Sequence, residues 1–199
     1  MDIQGIIGYA PNYNAIILTF RGTMVQYFGN IIRDLQFDKV PFSFCQSSNC
    51  QVHKGFFDSF NDLRDQTKYQ LNIYKNKYPN AKIFITDHSL GAAIATIAVS
   101  YVYQLIGNTQ IDAVYTLESP SIGNKAFSDR FIQQNYAILY GRITHNQDPV
   151  VQNPTSWWPL YYYHTYQEIC YSDFSKPYNL CYIQSRGQKM WSLIKLLCT

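Results

Sequence analysis

The 199-residue chain has little charge of either sign, no run of one charge, and no apolar segment of bilayer length. Only 15% of its residues are charged, 16 basic against 13 acidic, for a formal net charge of +3. The basic residues are scattered, so neither nucleic acid nor an anionic membrane is indicated as a partner. The longest apolar stretch, 92–107, is interrupted by Thr96, Ser100 and Gln104. It falls short of the ~20 residues that cross a bilayer, and no transmembrane segment is expected. Internal repeats, low-complexity tracts and linkers are missing, and Asn153 forms no glycosylation sequon because Pro154 follows it. Disorder is excluded by composition, since 18 Tyr and 12 Phe supply apolar surface that a disordered chain lacks. These absences leave one globular domain over residues 1–199, long enough to bury a sizeable core.

Residues 1–5 do not read as a targeting signal, because Asp2 comes first and Pro11, Asn12 and Asn14 interrupt the apolar residues. The cysteines point the other way. Cys45 and Cys50 flank a Gln-Ser-Ser-Asn loop, and Cys170 and Cys181 lie eleven positions apart around Pro177. Both spacings permit local disulfides, which belong to oxidising compartments, while the alternative is a set of buried thiols in a cytosolic protein. Cys198 is left over.

Gly5–Tyr9 and Ala15–Phe20 read as strands joined by a Pro-Asn-Tyr-Asn turn. Phe56, Phe60, Leu63, Thr67, Leu71, Tyr74 and Tyr78 recur at helical spacing, and Pro79 ends that helix. Ala81–Thr86 is expected as a buried strand and Leu90–Ile106 as a buried helix. Ile111–Leu117 follows as a strand, Asn124–Gln134 as a helix, and Ala137–Thr144 and Tyr163–Tyr171 as strands, with a last helix around Met190–Leu197. Alternating strands and helices predict an α/β fold with a mostly parallel central sheet and helices on both faces. Chemistry in such sheets sits at the carboxyl ends of the strands.

One strand end reads Thr86-Asp87-His88-Ser89-Leu90-Gly91-Ala92-Ala93 and passes directly into a helix. A serine on a tight strand-to-helix turn is the setting of a nucleophile elbow. The next residue, Leu90, would offer its N–H at a helix N-terminus, where it can stabilise an oxyanion. The order Ser, acid, His along the chain then selects the partners. Asp112 begins a strand and Asp129 lies within a helix, whereas Glu118 and Asp148 follow strand ends. Downstream of Asp148 the only histidine is His164, which gives Ser89, Asp148 and His164.

The chain resembles the class 3 lipases, the fungal-lipase-like branch of the α/β-hydrolases. The resemblance is carried by Phe20-Arg21-Gly22-Thr23, Val52-His53-Lys54-Gly55-Phe56, His88-Ser89-Leu90-Gly91, Tyr115-Thr116 with Pro120, Gly123 and Asn124, Thr144-His145 with Asp148-Pro149-Val150, and Tyr163-His164 before Glu168. It implies an α/β-hydrolase fold and a serine ester hydrolase acting on acylglycerols, or on phospholipids or other carboxylic esters. Ser89 would be the nucleophile, His164 the base, Asp148 its orienting acid, and Thr23 a second oxyanion donor beside Leu90. Residues 24–35 would form a lid whose Met24, Tyr27, Phe28, Ile31 and Ile32 face lipid, and Trp157 and Trp158 would line an acyl groove. Neither metal nor cofactor is implied. The expected partner is a lipid ester at a lipid–water interface, and the expected location is extracellular or the lumen of the secretory pathway.

Two departures stand out. Where the family's elbow normally starts with Gly this chain has Asp87, expected to crowd the following helix and to place a charge near the oxyanion. At an effective dielectric of 20, like charges ~6 Å apart repel by about 3 kcal/mol. Asp87→Gly is therefore expected to raise turnover up to about a hundredfold, and a relative impaired by Asp87 would bind lipid without catalysis. The amino end also reads as shortened, since the family usually has further structure before its Phe-Arg-Gly-Thr strand.

Overall fold

A computed structural model describes residues 3–22, 37–45, 49–145, 148–172 and 177–181. Seven strands form one sheet in the order β1-β2-β5-β6-β7-β8-β9. They are β1 (Gly5–Ala10), β2 (Ala15–Phe20), β5 (Lys82–His88), β6 (Ile111–Leu117), β7 (Ala137–His145), β8 (Glu168–Tyr171) and β9 (Asn179–Cys181). The interior pairs β2–β5, β5–β6, β6–β7 and β7–β8 are parallel, and β1 and β9 pair antiparallel at the edges. β3 (Lys39–Pro41) and β4 (Gln51–His53) make a separate two-stranded ribbon.

Helix α1 (Lys54–Lys77) buries Phe56, Phe60, Thr67 and Leu71, one stripe of the predicted period. Its N-cap is His53, whose Nδ1 accepts from Phe56 N at 3.4 Å and whose ring stacks on Phe56. Helix α2 (Leu90–Leu105) has nearly every residue from Gly91 to Val102 buried. That fits its apolar character all round. Helix α3 (Lys125–Gln134) is capped by Asn124, whose Oδ1 accepts from Phe127 N at 2.9 Å. The core joins Ile16, Leu18 and Phe20 of β2 to Ile83 and Ile85 of β5, Ile94, Ile97 and Val102 of α2, and Phe127 and Phe131 of α3. Side chains that alternate to the other face of the sheet are more open: Ile6 (68% exposed), Tyr115 (39%) and Leu139 (56%). Among the described residues no helix is long and apolar enough to cross a membrane.

Cys45 and Cys50 form the disulfide expected from their spacing, and both are buried. Closing a loop of that size is worth about 2 kcal/mol on the loop-entropy model. Cys50→Ser should lower unfolding stability by that amount, read from the denaturant midpoint. Cys170 and Cys181 lie on β8 and β9 in diagonal register, Cys170 opposite Asn179 and Cys181 opposite Glu168.

Asn124 does more than cap α3. Its Oδ1 also accepts from Gln51 N at 3.1 Å, and its Nδ2 donates to Asn49 O at 2.8 Å. One side chain thus braces the disulfide loop, β4 and α3. Asn124→Ala is expected to cost about 2 kcal/mol, the upper end for a lost cap, measured as a fall in thermal midpoint.

Tyr163, expected to begin a strand, makes only an isolated bridge with Gly123, and the regular strand starts at Glu168. The lid expected over 24–35, with Met24, Tyr27, Phe28, Ile31 and Ile32, lies outside the described residues, as do Thr23, Cys198 and the helix expected around 190–197.

Candidate active site

β5 ends at His88 and α2 begins at Leu90, so Ser89 alone makes the turn. It does so with φ 58° and ψ −128°. A side-chain-bearing residue reaches that region only when its surroundings force it. Three backbone bonds do the forcing. Ser89 N donates to Leu117 O at 2.9 Å, and Ser89 O accepts from Ala92 N at 3.0 Å and Ala93 N at 3.3 Å. Ser89 is 1% exposed, and its Oγ has no hydrogen-bond partner. A strained serine with an uncommitted buried hydroxyl, at the first turn of a helix, has the geometry that a nucleophile requires. The N–H of Leu90 opens α2, where first-turn amides lack intrahelical acceptors.

The turn touches the end of β2. A Cβ on Gly91 would stand 2.3 Å from Phe20 O and 3.2 Å from Gly22 N, and a Cβ on Gly22 would stand 2.9 Å from His88 O. Glycine at both places is what lets the Phe20–Gly22 segment lie against the elbow.

Asp148 follows β7 with its Oδ1 accepting from Val150 N at 2.7 Å. Its charge is felt by Glu118, which sits just past β6 with φ 50°. Burial first, and Asp148 second, push the Glu118 carboxyl up to about 7, against the opposing hydrogen bond from the His145 backbone.

His164 is placed differently from the expected relay. Its Nε2 pairs with Val151 O at 2.8 Å, and its Nδ1 is buried without a hydrogen-bond partner. The His164 carbonyl accepts from Ser128 Oγ at 2.5 Å, which ties this loop to α3. Burial, then the charge of Arg142, hold the His164 pKa well below the ordinary histidine value, with the Val151 bond acting the other way. No hydrogen bond joins His164 to Ser89 or to Asp148. The structure brings Ser89, Leu117, Glu118 and Asp148 to one end of the sheet but does not close a Ser–His–Asp chain of bonds.

Arg142 was not apparent as a site residue. It is 3% exposed, donates from Nη2 to Glu168 Oε2 at 3.1 Å, and lies in register with Glu168 on β8. Glu168 Oε1 also accepts from Thr144 Oγ1 at 2.6 Å. A lone arginine within the apolar run of β7 was the available signal, because a buried cation requires a carboxylate. Trp157 and Trp158, expected to line a groove, are 52% and 79% exposed on the turn after β7. Among the described residues no three His, Cys, Asp or Glu side chains are grouped to hold a metal ion.

Asp87 corrects one expectation. Its Oδ1 accepts from Phe20 N and Thr19 Oγ1, both at 2.8 Å, so the carboxyl is turned to β2. The expected crowding is absorbed at Gly91, where an added Cβ would lie 3.0 Å from that oxygen. Burial raises the carboxyl to about 7, opposed by the two hydrogen bonds, so about half of the group is protonated near pH 7. The expected charge repulsion is thereby reduced near pH 7 and returns as the pH rises. An acid raised in the folded state binds its proton more tightly there. The stability it contributes is present below its ordinary pKa near 4 and is lost as pH rises through about 7. Between pH 5 and pH 8 that loss amounts to about 3 kcal/mol. Neutral His164 contributes with the opposite sign, so the check is a difference. The gap in unfolding free energy between Asp87→Asn and the parent should shift by that amount, in favour of the variant, from pH 5 to pH 8.

The model of the lipase (class 3) family matches residues 17–157. The chain belongs to the class 3 lipases. This class 3 lipase chain is 35% identical over 107 residues to secreted mono- and diacylglycerol lipase 1 of Fusarium solani, covering 54% of the chain and 31% of that protein. It is 30% identical over 154 residues to secreted mono- and diacylglycerol lipase A of Penicillium cyclopium, covering 77% of the chain and 47% of that relative. Lipase II from Rhizopus niveus superposes with a TM-score of 0.84 at 22% identity, over 97% of this chain and 71% of that one, and shares the α/β-hydrolase fold. The chain spans less than half the length of those two curated relatives.

Proposed function

We propose that this class 3 lipase chain is a serine ester hydrolase acting on acylglycerols through an acyl-enzyme on Ser89. The observation that carries the reading is the Ser89 turn: positive φ, a buried hydroxyl without a partner, and the first amides of α2 beside it. Ser89 Oγ attacks the ester carbonyl and loses its proton to the base. The N–H groups of Leu90 and Thr23 hold the resulting oxyanion, the alcohol leaves with that proton, and water repeats the sequence on the acyl-enzyme. His164 is the base and Asp148 its orienting acid once the imidazole exchanges Val151 O for Ser89 Oγ. Met24, Tyr27, Phe28, Ile31 and Ile32 belong to the lid of this reading, which meets lipid at an interface, and Trp157 and Trp158 line its acyl groove. The Cys45–Cys50 disulfide and relatives named as secreted support an extracellular location. Cys170 and Cys181, diagonal neighbours on β8 and β9, form the second bridge in this reading. Peptide mapping without reduction decides it.

A second reading is favoured by the Nε2–Val151 bond and the low His164 pKa. In it His164 is a structural brace, and the described chain binds lipid esters without turning them over unaided. His164→Ala separates the two on a soluble short-chain ester and on emulsified acylglycerol. The first reading expects a loss of about a thousandfold or more in kcat. The second expects no change in whatever hydrolysis the parent shows, together with a lower thermal midpoint.

A further inference from the structure

The β2–β5 ladder runs in register from Ala15–Lys82 to Leu18–Ile85 and stops there, although both strands continue. At the next positions a side chain takes over. Asp87 Oδ1 accepts the Phe20 amide and the Thr19 hydroxyl, 67 and 68 positions away in sequence. The carboxyl is 5% exposed, and its Oδ2 is buried without a hydrogen-bond partner. It is wedged against the first turn of α2, since the space a Gly91 Cβ would take lies 3.0 Å from Oδ1. One group therefore touches β2, β5 and the start of α2, the three elements that meet at Ser89.

We infer that Asp87 is a positioning residue whose carboxyl clamps the carboxyl end of β2 to the nucleophile turn, fixing the Phe20–Gly22 segment relative to Ser89. The inference rests on the reading of Ser89 as nucleophile. On that reading the oxyanion is held at the first turn of α2, against which the Phe20–Gly22 segment lies, and such donors act only within a narrow distance of the developing charge. A misplacement of ~1 Å can cost about a hundredfold in rate. The Asp87 bonds link β2 to the strand that leads into that turn. Arg21 follows β2 and His88 follows Asp87 in β5, and no charged group contributes to the Asp87 shift, which comes from burial against its two hydrogen bonds. As pH rises through neutrality the acceptor becomes a carboxylate, and both bonds become charge-assisted.

The test combines an amide titration with kinetics on a soluble short-chain p-nitrophenyl ester. In 15N-labelled protein the Phe20 amide resonance should titrate with a midpoint near 7, and the titration should vanish in Asp87→Asn. Asp87→Asn keeps an acceptor oxygen and should hold kcat within about threefold. Asp87→Ala loses both bonds and should lower kcat about 10- to 100-fold with KM unchanged, because a misplaced oxyanion donor is felt only in the transition state. Thr19→Val should fall between them, and it tests the clamp even if Asp87→Ala does not fold. A Phe20 amide that stays flat from pH 5 to 9, or parental kcat in both Asp87→Ala and Thr19→Val, overturns the inference. A parent without hydrolysis whose Phe20 amide titrates keeps the clamp and sinks the hydrolase reading instead.

Discussion

Ser89→Ala is expected to lower ester hydrolysis on the order of 10⁴-fold or more while leaving the protein folded. The size follows from losing the group proposed to form the acyl-enzyme. Retention of the fold follows from the same feature, because Ser89 Oγ makes no hydrogen bond in the native state. Removing a buried hydroxyl without a partner relieves a desolvation cost of about 1–3 kcal/mol. The thermal midpoint should therefore stay level or rise as activity disappears. This opposition separates a functional serine from a structural one, since a serine whose hydroxyl held the turn together would lose both. kcat and the thermal midpoint, measured on one preparation, check it.

Gly91→Ala is expected to have the largest effect on folding of any single methyl addition at the site. The new Cβ would meet Phe20 O at 2.3 Å, and that atom is backbone, so no side chain can swing aside. It would also meet Gly22 N at 3.2 Å and Asp87 Oδ1 at 3.0 Å. α2 must then move away from β2, at a cost of about 3 kcal/mol. The move separates Leu90 from the segment leading to Thr23, so activity should fall with stability. Gly8→Ala is the control. Nothing lies within 4 Å of a Cβ there, and its effect should be small.

Periodicity and strand-end logic located most of the scaffold, for reasons visible in particular elements. α1 shows its buried stripe over 24 residues, and β5 with α2 forms a strand-to-helix junction whose small residues are required by contact. β3, β4 and β9, three residues each, are too short to carry a pattern. Ser89 was legible because its local turn and its chemistry coincide. His164 was reached through chain order, and order carries no information about which acceptor an imidazole meets. Val151 O is that acceptor in the structure. Asp87 suffered from the same blindness. Read locally it is a bulky charge in a tight turn, whereas its partners, Thr19 and Phe20, become visible only once β2 lies beside β5. Arg142 and Glu168 likewise form a pair only through parallel register.

Covalent labelling tests the central claim, that Ser89 is an activated nucleophile, most directly. The protein is incubated with a serine-reactive alkyl phosphonate ester and digested, and the adduct is located by mass spectrometry. The predicted result is one stoichiometric adduct on the peptide containing Ser89, absent in Ser89→Ala and slowed by competing short-chain ester. An unlabelled Ser89, or an adduct that persists in Ser89→Ala, would contradict it.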